Sequence, residues 1–189
     1  MLRRYILYAA GFVILTISSF SCELITGPNF PDAPKISFRD IRKFRVTDRL
    51  GNTNDSISIA LKFQDGDGDL GLTQEEIDNH PPPYQQLIQN PDGSTSPNPR
   101  YYNYYIQQYR KVNEDWVPED RLPSLKGHFP VLNEGKKGPI EGTLYYAVSF
   151  PLTPSSAANA IYKYDIYILD RAGNASNTIT TSEVIINEK

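Results

Sequence analysis

From Lys35 onward the chain alternates apolar and polar residues with a period of two. Ile57, Ile59, Leu61 and Phe63 are separated by Ser58, Ala60 and Lys62. Leu144, Tyr146, Val148 and Phe150 are separated by Tyr145, Ala147 and Ser149. Tyr162, Tyr164, Ile166 and Ile168 are separated by Lys163, Asp165 and Tyr167. Such alternation sets one face of a strand on a core and the other toward water. Further strands are expected over Ile36–Val46, Tyr101–Val112, Trp116–Val117 and Thr178–Ile186, with Asn113-Glu114-Asp115 as a hairpin turn. About seven strands and no long helical stretch predict an all-β domain over residues 35–187, two antiparallel sheets packed as a sandwich. A Pro-, Gln-, Asn- and Ser-rich insertion at about 78–100, with Pro81-Pro82-Pro83, is expected to be an exposed loop.

The first 34 residues follow a different pattern. Arg3 and Arg4 precede an uncharged apolar run from Tyr5 to Phe20, and the small residues Ser18, Ser19 and Ser21 come just before Cys22. Charge, apolar segment and small-residue site in that order read as a secretory signal over residues 1–21. The run is shorter than the roughly 18–20 residues of a comfortable membrane span. Residues 22–34 contain Pro28, Pro31, Pro34 and Gly27 and read as a tether.

Composition narrows the function classes. The chain has 189 residues, a formal charge of −3 and a single cysteine. Removing residues 1–21 takes away two arginines and no acid, so the remainder is more acidic still. A nucleic-acid binder needs clustered Lys and Arg, which an acidic chain without a basic patch does not supply. One thiol makes no internal disulfide and no zinc cluster.

Ser19-Phe20-Ser21-Cys22 resembles a bacterial lipobox. The resemblance implies cleavage before Cys22, with diacylglycerol and fatty acyl chains carried on that residue. Several acyl chains give stable anchoring, since each buried CH₂ contributes about 0.8 kcal/mol. It places the protein in the bacterial cell envelope, at the outer membrane, with membrane lipid as its partner. Tyr164-Asp165-Ile166-Tyr167-Ile168-Leu169-Asp170-Arg171-Ala172-Gly173-Asn174 resembles the F strand and F–G turn of bacterial immunoglobulin-like or fibronectin type III-like domains, with Tyr164 where a tyrosine corner falls. With Phe63-Gln64-Asp65-Gly66-Asp67-Gly68-Asp69-Leu70-Gly71, the layout is similar to lipoproteins of Bacteroidota. The fold implied is an immunoglobulin-like sandwich after a lipoprotein signal peptide.

Asp65, Asp67 and Asp69 recur at every second residue directly after a strand. Calcium takes six to eight oxygens, and Asp alternating with Gly lets a loop curl carboxylates around one hard cation. Counting Asp65 as position 1, Gly71 supplies a carbonyl at position 7 and Glu76 a carboxylate at position 12, as in an EF-hand. Leu70 at position 6 and the preceding strand depart from that motif, which leaves a strand-loop calcium site. Thr73-Gln74-Glu75-Glu76 is also a capping box, which would occupy Glu76 instead. If Ile57–Phe63 and Tyr162–Leu169 are strands B and F, their following loops share one end of the sandwich. Asp170 and Asn174 then approach the aspartates, although a self-contained turn explains that pair equally well.

Tyr101, Tyr105, Tyr109 and Trp116 crowd one expected hairpin. Its outward face is either an aromatic platform for a glycan or a second packing layer. Catalytic patterns are sparse. His80 and His128 sit near prolines, and no Gly-x-Ser-x-Gly turn, phosphate loop or dinucleotide fingerprint occurs. The expected function is a non-catalytic, lipid-anchored binding or structural module whose partner is a glycan or an envelope protein. A hydrolase built on an unrecognised carboxylate pair is the remaining alternative.

Overall fold

The computed structural model describes residues 27–189 apart from Leu122 and Gly135. Cys22, the expected signal segment over residues 1–21 and the first part of the expected tether lie outside the described residues. In chain order the strands are β1 (Lys35–Thr47), β2 (Thr53–Asp65), β3 (Leu87–Gln89), β4 (Thr95–Pro97), β5 (Tyr104–Val112), β6 (Asp115–Glu119), β7 (Ile140–Leu152), β8 (Ala160–Ile168), β9 (Ile179–Thr180) and β10 (Val184–Ile186). One short helix, α1 (Gln74–Asn79), follows β2. The chain is mostly β, as the alternation predicts.

Two antiparallel sheets form the body. One has the order β1-β2-β7, and the other β10-β8-β5-β6 with β9 also paired to β8. Their apolar faces share one core. Ile57, Ile59, Leu61 and Phe63 of β2 and Val148 and Phe150 of β7 meet Ile106 of β5 and Tyr162, Tyr164, Ile166 and Ile168 of β8. Aromatic pairs stitch the sheets together, with Tyr104 edge-on to Tyr146 at 5.2 Å and Phe150 beside Tyr162 at 5.1 Å. β1 is tied to the second sheet by a side chain acting as a strand. Asn177 accepts from Ile36 N–H and donates to Ile36 C=O, both at 2.9 Å.

β2 runs beyond the expected Ile57–Phe63 by four residues at one end and two at the other. Its inward row therefore ends in carboxylates on both sides: Asp55, Ile57, Ile59, Leu61, Phe63, Asp65, all buried. At the Asp55 end, Arg45 grips the carboxylate with two bonds of 2.7 and 2.9 Å, and Asn187 N–H adds a third at 2.6 Å. The arginine and this backbone donor hold the Asp55 carboxyl below its ordinary range.

Four sequence expectations are corrected. The strand expected over Tyr101–Val112 begins only at Tyr104, because Tyr101 N–H closes a turn on Asn98 and the Asn103 side chain bonds the backbone of Phe129 at both of its ends. The strand expected over Thr178–Ile186 is split into β9 and β10. Between them the Thr181 hydroxyl, not its carbonyl, accepts from Tyr164 N–H at 3.1 Å. The insertion at about 78–100 is exposed along most of its length, as expected, but it is not a loop without secondary structure. It holds the β3–β4 hairpin, and the buried Asn98 amide ties it through the carbonyls of Pro83 and Gln85, both at 2.7 Å. Tyr164 forms no tyrosine corner. It sits mid-strand, wholly buried, and its hydroxyl reaches Gln108 of β5 at 3.3 Å, which in turn donates to Glu119 at 2.6 Å.

The core makes a direct prediction. Ile57→Ala, at a fully buried site, should lower unfolding free energy by about 2–5 kcal/mol, whereas Leu50→Ala, at a hairpin tip 87% exposed, should stay within about 0.5 kcal/mol. Urea denaturation of both variants reads the difference.

Candidate metal centre

β2 delivers Asp65 to the inner face at the end of the sandwich opposite Asp55, and the chain then turns sharply. Gly68 and Gly71 adopt φ of +73° and +92°, values that L side chains rarely take. A side chain at either would also collide with backbone, that of Gly138 at Gly68 and that of Pro130 at Gly71. The glycines in Asp-Gly-Asp-Gly-Asp-Leu-Gly thus let other loops close over the turn. Gly138 N–H donates to Asp67 C=O at 3.0 Å, and Leu72 exchanges bonds with Phe129 and Val131 at 3.1 and 3.0 Å. From the N-terminal side, Gly66 N–H donates to Pro31 C=O at 2.8 Å. The last part of the segment expected to be a tether therefore packs on the acidic turn.

The loop after β8 closes the remaining side. Arg171 N–H donates to Asp69 C=O at 3.2 Å, and Ala172 N–H to Asp69 Oδ2 at 3.1 Å. The two loops do share one end, and Asp65, Asp69 and Asp170 each place a carboxylate oxygen within 4.8 Å of the others. Asp65 and Asp170 are buried and Asp69 half-buried. Asn174 holds Asp170 in place through its backbone and side-chain N–H groups, both at 2.7 Å. The self-contained turn and the approach to the aspartates therefore coexist.

Buried carboxylates demand compensation, and here it falls short. Asp65 Oδ2 accepts from Asp69 N–H at 3.1 Å, but Asp65 Oδ1, Asp67 Oδ1 and Asp69 Oδ1 are buried without a hydrogen-bond partner. Burial, then the charges of Asp67 and Asp69, push the Asp65 carboxyl up to about 7. Burial, then Asp170 and Asp67, raise Asp69. Asp65, Asp69 and Asp170, three acceptor-only groups, share one volume whose donors are all neutral, without the arginine that Asp55 has at the other end of β2. A hard cation bound by oxygens is the group that such a donor-poor set fits.

Two sequence candidates drop out of this set. Glu76 completes the capping box of α1. Its carboxylate accepts from Thr73 N–H at 2.8 Å and Thr73 Oγ1 accepts from Glu76 N–H at 3.2 Å. It also receives the Arg171 guanidinium, whose hydrogen bond holds its carboxyl down at about 2. Gly71 C=O accepts from the same guanidinium at 3.3 Å. The EF-hand count fails because an arginine occupies the oxygens at positions 7 and 12. Asp67 stands outside the group of three and lines a cavity of about 670 Å³ next to it.

The aromatic candidates separate. Tyr105 stacks on Tyr167 at 4.7 Å with the rings 2° from parallel, and Lys126 Nζ sits 5.8 Å from its centre. Lys163 lies 5.8 Å from the Tyr109 ring and 4.5 Å from that of Trp116. These rings pack against strand neighbours on the outer face of β5, β6 and β8. Tyr101 lies elsewhere, in a cluster not foreseen from sequence. Its hydroxyl is 3.3 Å from His80 Nε2 and its carbonyl 2.5 Å from His128 Nε2, with the imidazoles 5.7 Å apart. Arg171 and Tyr84 were also missed. The signal for Arg171 was an unassigned cation inside the Asp-Arg-Ala-Gly-Asn turn, but its partner Glu76 is 95 residues away.

The pKa directions give a pH dependence. A carboxyl whose value rises from 3.8 unfolded to about 7 folded contributes stability that is present below pH 4 and lost as pH climbs through 7. In chelator, the melting temperature should fall from pH 5 to pH 8, and Asp65→Asn should flatten that fall. Glu76→Gln should destabilise the fold by about 1–3 kcal/mol, through loss of a charge-assisted pair, at every pH above the ordinary glutamate range. Differential scanning calorimetry across pH checks both. Comparison with protein-family models, with curated proteins and with solved structures finds no match to this chain.

Proposed function

We propose that this protein is a lipid-anchored envelope protein whose immunoglobulin-like sandwich is a non-catalytic binding or structural module, stiffened at one end by calcium. The observation that carries the metal part is the contrast between the two ends of β2. Asp55 has an arginine and a backbone donor, while Asp65 faces Asp69 and Asp170 with three buried oxygens unpaired nearby. Asp65, Asp69 and Asp170 are the first ligands, Asp67 is close enough in the chain to join through water or a small loop shift, and the remaining positions are open to water or ligand.

The strand order supports the immunoglobulin-like reading. β1-β2-β7 corresponds to strands A-B-E, and β10-β8-β5-β6 to G-F-C-C′. The domain from Lys35 onward contains no cysteine, so an inter-sheet disulfide plays no part. The lipid anchor rests on Cys22 and the segment before it.

Two measurements test this reading. Millimolar calcium should raise the melting temperature of the protein at pH 7.5 by several degrees, and Asp65→Asn or Asp69→Asn should remove most of the rise. Glu76→Gln should keep it. No calcium-dependent rise in the unsubstituted protein would sink the metal centre. For the anchor, Cys22→Ser should move the protein from the detergent-rich to the aqueous phase in phase partition and abolish labelling with radioactive palmitate in a bacterial host.

A further inference from the structure

The cavity of about 670 Å³ beside the acidic turn has walls of two kinds. Asp67 and Asp69 form one side, and both carry an oxygen without a partner. Lys136 and Lys137 come from the loop that Gly138 fastens to Asp67, and they stand on the rim with Glu134. Leu70 and Val131 supply apolar floor. Arg171 also reaches the cavity, but its charge is met by Glu76.

Without a metal, acids dominate these walls once Arg171 is paired. A divalent cation on Asp65, Asp69 and Asp170 offsets two of their three charges and sets a positive centre beside the cavity, because Asp69 belongs to both the ligand set and the cavity wall. Three carboxylates would leave a cation such as calcium short of its six to eight oxygens, and Asp69 is the ligand that also borders the cavity. Volumes of this size hold small-molecule ligands.

We infer that the cavity binds a small oxyanionic ligand, which completes the coordination of the cation with one anionic oxygen and meets Lys136 and Lys137 with its remaining oxygens. This rests on the cation site proposed above and adds a ligand class to it. A carboxylate-bearing sugar and a phosphate-bearing compound share the required chemistry. The Tyr105 face does not, since its ring is already stacked on Tyr167.

Isothermal titration calorimetry on the full chain in detergent micelles tests this, with digalacturonate and inorganic phosphate as separate probes. In excess calcium one or both probes should bind, and chelator should abolish the binding. Binding of digalacturonate assigns the site to an acidic sugar, and binding of phosphate alone assigns it to a phosphate-bearing ligand. Lys136→Ala combined with Lys137→Ala should weaken binding by at least about tenfold, as expected for losing charge-assisted bonds, while calcium still raises the melting temperature. The inference is overturned if neither probe binds although calcium stabilises the protein, if binding persists in chelator, or if the double variant binds as tightly. Failure of calcium to stabilise the protein removes the metal reading and this one with it.

Discussion

A carboxylate can be taken out of water only if something in the protein replaces the water, and β2 carries out that exchange twice. At one end Arg45 and a backbone N–H surround Asp55, which closes that end of the sandwich against the C-terminal residues. At the other, Asp65 meets more acids. The shape of that second end follows from the need to hold like charges together. Glycines bend the chain so that backbone N–H groups of Asp69 and Ala172 point at carboxylates, and Asn174 fixes Asp170 with two donors. Every one of those donors is neutral, and the positive charge is what the protein itself does not supply there.

Arg171 is the cation within reach, and the fold directs it away. Its guanidinium is drawn to Glu76 and the Gly71 carbonyl, and Tyr84 lies 5.9 Å beneath it. The helix cap and the arginine thus cooperate. The capping box positions Glu76, Glu76 holds Arg171, and the backbone of Arg171 then fastens the last loop to Asp69. The same pair that removes Glu76 from the cation group helps bring Asp170 to it.

How much of this was legible in the sequence depends on the range of the interaction. β2, β7 and β8 alternate over many residues, so their inward faces could be read directly, and a turn at Asn113-Glu114-Asp115 followed from the short gap between Val112 and Trp116, although Asp115 itself pairs with Val112. The capping box was legible because all its partners lie within one helical turn. The convergence of Asp65–Asp69 with Asp170 was reached through topology alone, as strands on opposite sheets whose ends coincide. What failed was non-local and side-chain specific. Nothing near Glu76 announces Arg171, nothing near His80 announces His128, and nothing in the run Tyr101–Val112 reveals that the Asn103 amide ends the strand by taking the backbone bonds of Phe129. Period-two patterns also say nothing about a buried acid such as Asp55, which takes an inward position that sequence would assign to an apolar residue.

The hydrogen bond between Gly66 and Pro31 has a mechanical side. The chain enters β1 at the acidic end, while its last residues are held at the Asp55 end through Asn187. A pull on the N-terminal segment, resisted at the far end, runs along β1. It stretches the ladder between two thirteen-residue strands in shear, with the rungs strained together and not peeled one by one. The first contacts to feel such a pull are Pro31 on Gly66 and Asn177 on Ile36, so tension on the N-terminal segment would reach the acidic turn before the core.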